Sequence, residues 1–326
     1  MNRTSLLAAS PLALAIALGA GAAQAAEPLT AQVSGFMFGG VAWVDTATTD
    51  GDFSVIRDGE IHFTFRGVSD NGLTFDGRVE LEAFTDTDDQ IDENWVRVSG
   101  PFGAVMIGGN DTAKTELAVG VLYAPGDKVG YYDDDANQGL TGGIDGSGDQ
   151  VGIHYYTPSF AGFSAGVSYL PSVDSDGPND TNTAVFADGE NVFSVGLVYE
   201  YEFTGAGISL ALGAGYEDVD TPTGDMESWN VGGTISGSGI TLAAYWEENF
   251  DETNDWNLGL AYETGPWTFA GGFGHSEAAG AADVDTFAGW ASYAVAPGVS
   301  FSAGAAHASD DNDDAMIAAT WVSLNF

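Results

Sequence analysis

Positive charge is confined to one stretch of the chain. Apart from Arg3, the basic residues are Arg57, Arg66, Arg78, Arg97, Lys114 and Lys128, and none follows. Arg66 falls in step with Glu60, His62 and Thr64, Arg78 with Asp76, Glu80 and Glu82, and Arg97 lies between Val96 and Val98. A period of two is that of a β-strand, whose successive side chains point to opposite faces. Three neighbouring strands then present a basic patch on one face. Downstream, residues 110–149 carry Glu116, Asp127, Asp133, Asp134, Asp135, Asp145 and Asp149. Set across from the arginines, these acids would create a transverse field that orders water, orients polar solutes and sorts ions by charge. The plainer alternative is that the arginines neutralise Glu80 and Glu82 beside them. Arg57 is out of phase with Arg66 and joins the patch only through a bulge at Asp58-Gly59 or a place beside a loop.

Other chemistry is thinner. "DDDANQG" offers oxygen ligands for calcium at Asp133, Asp135 and Asn137, but its glycine falls at Gly139 and no bidentate glutamate closes an EF-hand loop, so a solvated acidic loop competes with a weak Ca²⁺ site. His62, His154, His275 and His307 are scattered over different segments, and no nucleophile elbow, phosphate loop or zinc motif accompanies them. No catalytic residue or other cofactor is expected.

The elements that must position the arginines emerge from the two ends of the chain. Arg3, an apolar run and Ala23-Gln24-Ala25 have the form of a secretory signal peptide, so 1–25 is expected to be removed and 26–326 to form the functional domain. No later stretch of about 18 apolar residues occurs, so no spanning helix is expected. There are no cysteines, and disulfides cannot hold the fold. The formal net charge of -41 argues against nucleic acid as a partner, whether it reflects selectivity or a salt-adapted surface. A 44% hydrophobic and 12% aromatic composition excludes a disordered acidic chain.

Period-two segments recur. Phe193, Val195, Leu197, Tyr199, Tyr201 and Phe203 alternate with Ser194, Gly196, Val198, Glu200 and Glu202, and comparable alternation surrounds Trp256–Tyr262 and Trp267–Phe273. A soluble sandwich would bury such faces; the connections argue otherwise. Seven short turns are predicted near 69–72, 100–103, 158–162, 204–207, 237–239, 265–266 and 296–298. Between them fall eight mostly longer, acidic loops near 45–53, 86–92, 110–149, 171–190, 217–226, 248–254, 276–285 and 309–313. Strict alternation of turns and loops predicts an all-β fold, a 16-stranded antiparallel transmembrane β-barrel with short periplasmic turns and both termini on the short-turn side. The first strand, 31–45, and the one near 285–295 are bulky on both faces, as if the wall there met another subunit or the long loop. "MIAATWVSLNF" alternates to Phe326 and is predicted to close the barrel.

Phe326, with Leu324 and Val322, resembles the C-terminal signature by which outer-membrane barrels are recognised for insertion. "GEIHFTFRGVSDNGLTFDGRVELEA", "WVRVSGPFGAVMIGG" and the long loop after them resemble the N-terminal third of the general diffusion porins of Gram-negative bacteria, most of all the alphaproteobacterial branch. That resemblance implies a water-filled homotrimer whose third loop folds inward to narrow the pore, handled by the barrel-assembly machinery, and in related porins accompanied by calcium. It implies a passive channel for ions and small hydrophilic solutes in the outer-membrane lipid, with Arg57, Arg66, Arg78 and Arg97 on the basic wall and Glu116, Asp127, Asp133, Asp134 and Asp135 on the loop. Excess acid predicts cation preference. An adhesin or structural barrel whose external loops carry the function is the rival, and a barrel enzyme comes third.

Overall fold

The computed structural model describes residues 26–46, 51–83, 91–121, 147–173, 189–277, 282–310 and 314–326. The expected signal peptide lies outside them. The first eight strands are β1 (Glu27–Asp45), β2 (Asp52–Val68), β3 (Thr74–Glu82), β4 (Ile91–Gly100), β5 (Gly103–Gly109), β6 (Val151–Tyr156), β7 (Phe163–Ser172) and β8 (Glu190–Phe203). The remaining eight are β9 (Ile208–Thr221), β10 (Gly224–Gly237), β11 (Ile240–Glu248), β12 (Asn254–Thr264), β13 (Trp267–Glu277), β14 (Val284–Ala296), β15 (Val299–Ser309) and β16 (Asp314–Asn325). A short helix, α1 (Ala113–Glu116), lies between β5 and β6. Every strand pairs antiparallel with its sequence neighbours, and β1 pairs with β16, so the sheet closes on itself. Closure removes the unpaired edges that lipid would not tolerate.

All seven predicted short turns fall between strands, because each carries the residues a tight reversal demands. In Ser69-Asp70-Asn71-Gly72 the Gly72 N–H reaches the Ser69 carbonyl at 2.9 Å, and Gly72 takes a φ of 79° that side chains disfavour. The expected loop at 217–226 is a correction. β9 and β10 run on to pair Thr221 with Gly224, leaving a tight hairpin at Pro222-Thr223. Its acids suggested a loop, but Asp218 and Asp220 alternate with Glu217 and Val219 as strand residues do.

Strand register gives each strand an inward and an outward phase. Outward-phase Leu212, Val231, Leu242, Leu258, Phe269, Phe287, Phe301 and Val322 are each 42–56% exposed, an apolar band suited to hydrocarbon. The bulk on the inward face of β1 and β14 has a local cause. Phe38, Val44, Ile56, Trp290 and Trp321 form one buried apolar cluster on the inward phase of adjoining strands. Trp321 therefore faces in, whereas Tyr199, Tyr201, Trp246, Tyr262 and Trp267 stay on the outward phase. At the seam Phe326 and Gly35 exchange backbone hydrogen bonds of 3.0 and 2.9 Å.

Candidate functional site

The register of β2, β3 and β4 arranges the inward charges in rows. Arg66 stands beside Asp76 and Asp76 beside Arg97; one level away, Thr64, Arg78 and Trp95 are neighbours. A further step brings His62 beside Glu80, where an irregularity in the β3–β4 ladder between Val79 and Leu81 sets the Asp92-Glu93 pair opposite Glu80. Arg97 donates from Nε to Asp76 at 3.0 Å and lies 5.0 Å above the Trp95 ring. Arg78 is paired with Glu80 and donates from Nη2 to His62 Nδ1 at 2.9 Å, and His62 Nε2 lies 2.7 Å from Glu60. Among the described residues the Arg66 guanidinium has no ion pair or side-chain hydrogen bond.

Across from this wall the segment after β5 enters the barrel. Thr112 sits at the N-cap of α1, but its hydroxyl bonds Glu217 on β9 rather than the helix backbone. The Ala113 N–H reaches Ser168 Oγ on β7 at 2.9 Å, with His154 Nδ1 2.8 Å beyond, and the Lys114 N–H reaches Ser194 Oγ on β8 at 2.9 Å. Lys114 Nζ pairs with Glu247 on β11, both fully buried, and Tyr245 Oη donates to the other Glu247 oxygen at 2.8 Å. Burying such a pair costs its hydration, and the Tyr245 hydrogen bond to Glu247 offsets part of that loss.

A track of inward glycines makes room for the segment. A Cβ on Gly196 would sit 2.0 Å from the Ala113 carbonyl oxygen, and one on Gly232 would sit 1.8 Å from that of Val119. Gly213 and Gly215 lie under Leu117 and Lys114 in the same way. The wall is smooth where the backbone crosses it, and only glycine permits that approach.

Between the arginine wall and the docked segment lies a cavity of about 770 Å³ whose lining includes Arg66, Arg78 and Arg97 on one side and Asn110, Glu116 and Leu117 on the other, with Glu93, Trp95 and Tyr156 between. Burial, then the neighbouring Glu93 charge, holds the Glu116 carboxyl above its ordinary range, against the opposing pull of Asn110, Arg97 and Arg78. Burial also pushes Asp111 up to about 7, with Glu116, Glu93, Glu217 and Asp92 adding to the effect. Asp149 is pushed up to about 9 by burial and by Asp111, Asp92, Glu93 and Glu80. Acid is crowded at this level of the barrel, and part of it is held protonated at neutral pH. Glu60, Glu82 and Asp92 also bring three carboxylates within 4.8 Å of one another, an oxygen set of the kind hard divalent cations accept.

A family model described as Gram-negative porin matches residues 12–314. The chain belongs to that family. Among solved structures, a porin refined at 1.8 Å resolution is 21% identical, with a TM-score of 0.64 over 91% of this chain and 100% of that one. OmpT of Vibrio cholerae, lacking its loop L8, is 14% identical, with a TM-score of 0.63 over 91% and 99%. A mutant Rhodopseudomonas blastica porin is 19% identical, with a TM-score of 0.59 over 91% and 100%. These likenesses carry the fold. No curated protein matches the chain. Family and closed barrel together make it an outer-membrane protein and a diffusion channel.

In this porin Arg66, Arg78, Arg97 and Glu116 share one cavity. Arg57 does not join them. The β1–β2 register runs unbroken from Thr30 to Val44, so no bulge at Asp58-Gly59 turns it inward, and it lies on the outward phase in the outer third of β2. Asp127, Asp133, Asp134, Asp135 and Asn137 lie outside the described residues. Sequence reasoning missed Glu217, Glu247 and the glycine track. The signal for the two acids was their position in strand phase with apolar or aromatic residues, Val219 and Tyr245, and not in a loop.

Proposed function

We propose that this porin is a passive, cation-preferring channel for ions and small hydrophilic solutes, narrowest between the arginine wall and the first part of the third loop. The observation that supports it is the single cavity lined by Arg66, Arg78 and Arg97 opposite Glu116. Two of the three arginines are balanced by acids of their own wall, so the field across the passage is weaker than three bare cations would give. The acidic excess, 48 Asp and Glu against 7 Lys and Arg, makes the mouths negative and concentrates cations there. Screening limits that reach to about 8 Å at physiological ionic strength, so selectivity weakens as salt rises.

Reversal potentials across a planar bilayer in a salt gradient test this reading. Neutralising Glu116, Asp127, Asp133, Asp134 and Asp135 together is expected to shift them toward anions. Replacing Arg78 and Arg97 by Gln is expected to shift them toward cations. If neither set moves them, the loop does not line the passage, and a barrel that carries no current at all returns the adhesin or structural reading.

The working form we propose is a homotrimer inserted by the barrel-assembly machinery, with the long loops external, the short turns periplasmic and β1 and β14 near the subunit contact. A monomeric mass in mild detergent, unchanged by added divalent cation, would contradict it.

A further inference from the structure

We propose that Glu217 is the clasp that positions the third loop, and with it the width of the passage; the inference rests on the channel reading above. Thr112, on the outgoing limb, donates its hydroxyl to Glu217 Oε2, and Ser147, on the returning limb, donates its backbone N–H to Glu217 Oε1 at 2.8 Å. One side chain thus holds both limbs, one to each carboxylate oxygen. Glu217 is fully buried, and Thr112 and Ser147 are 1% and 5% exposed, so water does not compete for these bonds.

The other attachments act on one limb. Ser168, Ser194 and Glu247 all bind Ala113 or Lys114, just beyond Thr112. Glu217 alone of these four wall residues also takes the returning chain, and it thereby ties Thr112 and Ser147, which flank residues 113–146, to one point on β9. The β5–β6 ladder already brings the ends together at Gly109 and Val151, and the clasp shortens the free span from there and fixes its direction by fastening both limbs to a third strand, β9. Glu116, which faces the arginines, lies within that span. Glu217 is a positioning residue: it does not line the cavity, but it acts through the segment that does.

The carboxylate's role here is as a double acceptor, and glutamine can satisfy both partners. Its amide oxygen accepts the Ser147 N–H, and its amide NH₂ donates to the Thr112 hydroxyl, which then serves as acceptor. Leucine, of similar size, satisfies neither. This separates the clasp from the charge.

The test compares wild type, Glu217→Gln, Glu217→Leu and Thr112→Val as assembled protein in detergent and in planar bilayers. Two readouts are taken: open-channel noise and conductance, and the rate of tryptic cleavage after Lys128, the sole Lys or Arg beyond Lys114. Glu217→Leu is expected to raise the cleavage rate about tenfold and broaden the conductance distribution, in line with the loss of buried hydrogen bonds. Thr112→Val, which frees one limb, is expected to show a smaller rise, and Glu217→Gln to track wild type in both readouts. Wild-type protection and noise in Glu217→Leu would overturn the clasp, as would a Gln variant as loose as the Leu variant. If Glu217→Leu does not assemble, Thr112→Val decides, and wild-type behaviour there overturns the proposal. A wild-type protein that carries no current would refute the channel reading, while cleavage after Lys128 would still decide the clasp.

Discussion

Arg66 and Asp76 face one another across the β2–β3 ladder, but the Asp76 carboxylate is bonded to Arg97 on its other side. Arg66 is left to act on the passage with its whole charge. Arg66→Gln is therefore expected to raise cation preference without lowering the temperature at which the barrel unfolds in detergent. Arg97→Gln takes the hydrogen-bonded charge partner from the buried Asp76 carboxylate, which costs about 1 to 3 kcal/mol. Its unfolding temperature should be lower than that of Arg66→Gln; the opposite order would contradict this division.

Lys114 and Glu247 have no exposure to solvent, so breaking the pair strands a charge. Lys114→Met is expected to destabilise the protein by about 3 to 5 kcal/mol, and the Lys114→Met, Glu247→Leu double variant to recover most of the loss. Thermal melts of wild type, Lys114→Met, Glu247→Leu and the double variant form the double-mutant cycle. Additive losses would show that the two side chains are not coupled.

The raised carboxyls of Asp111 and Asp149 set a pH dependence. From their ordinary value of 3.8 up to about 7 and about 9, these groups keep protons in the fold that the unfolded chain has lost. Folding takes up protons in that window, so stability falls as pH rises through it and is insensitive to these groups below about pH 4. Each deprotonation also adds negative charge near the cavity. Cation preference is expected to climb in two steps, near pH 7 and near pH 9, in reversal potentials from pH 5 to 10. Asp111→Asn should remove the first step and Asp149→Asn the second, and a flat wild-type profile would rule the mechanism out.

Gly196→Ala places a methyl group 2.0 Å from the Ala113 carbonyl and must displace the docked segment, at a cost of about 1 to 3 kcal/mol. Gly39, on β1, has open space where its Cβ would be, and Gly39→Ala is the control. Single-channel conductance is expected to change in the first and not in the second. Equal conductance in both would mean that the track does not seat the loop.

Phe326 bonds Gly35 through its backbone at the seam, and its side chain lies on the outward phase. Phe326→Asp is expected to lower outer-membrane yield several-fold while leaving the unfolding temperature of the assembled fraction near wild type. Normal yield would remove Phe326 from any role in insertion.

The barrel was legible because its signals are local. Seven turns announce themselves through Gly, Pro, Asn and Asp, and alternation places Arg66, Arg78 and Arg97 on the inward phase without knowledge of any partner strand. The hairpin at Pro222-Thr223 was misread because acids on an outward strand end look like those of a loop. Arg57 turned on one register question that only the paired strand answers. The docking groove was not legible, since Gly196, Gly213, Gly215 and Gly232 are ordinary strand glycines until something is known to lie on them. Glu217 and Glu247 were not legible as anchors for the same reason: their partners, Thr112 and Lys114, lie more than a hundred residues earlier.

The docking groove lies on β7 to β11, whereas the arginine rows lie on β2 to β4. Substitutions in one set of strands therefore leave the other set's contacts intact. The seat of the docked segment and the charge of the arginine wall can thus be altered from different strands, with Glu116, carried by the segment, as the group through which the first still reaches the second.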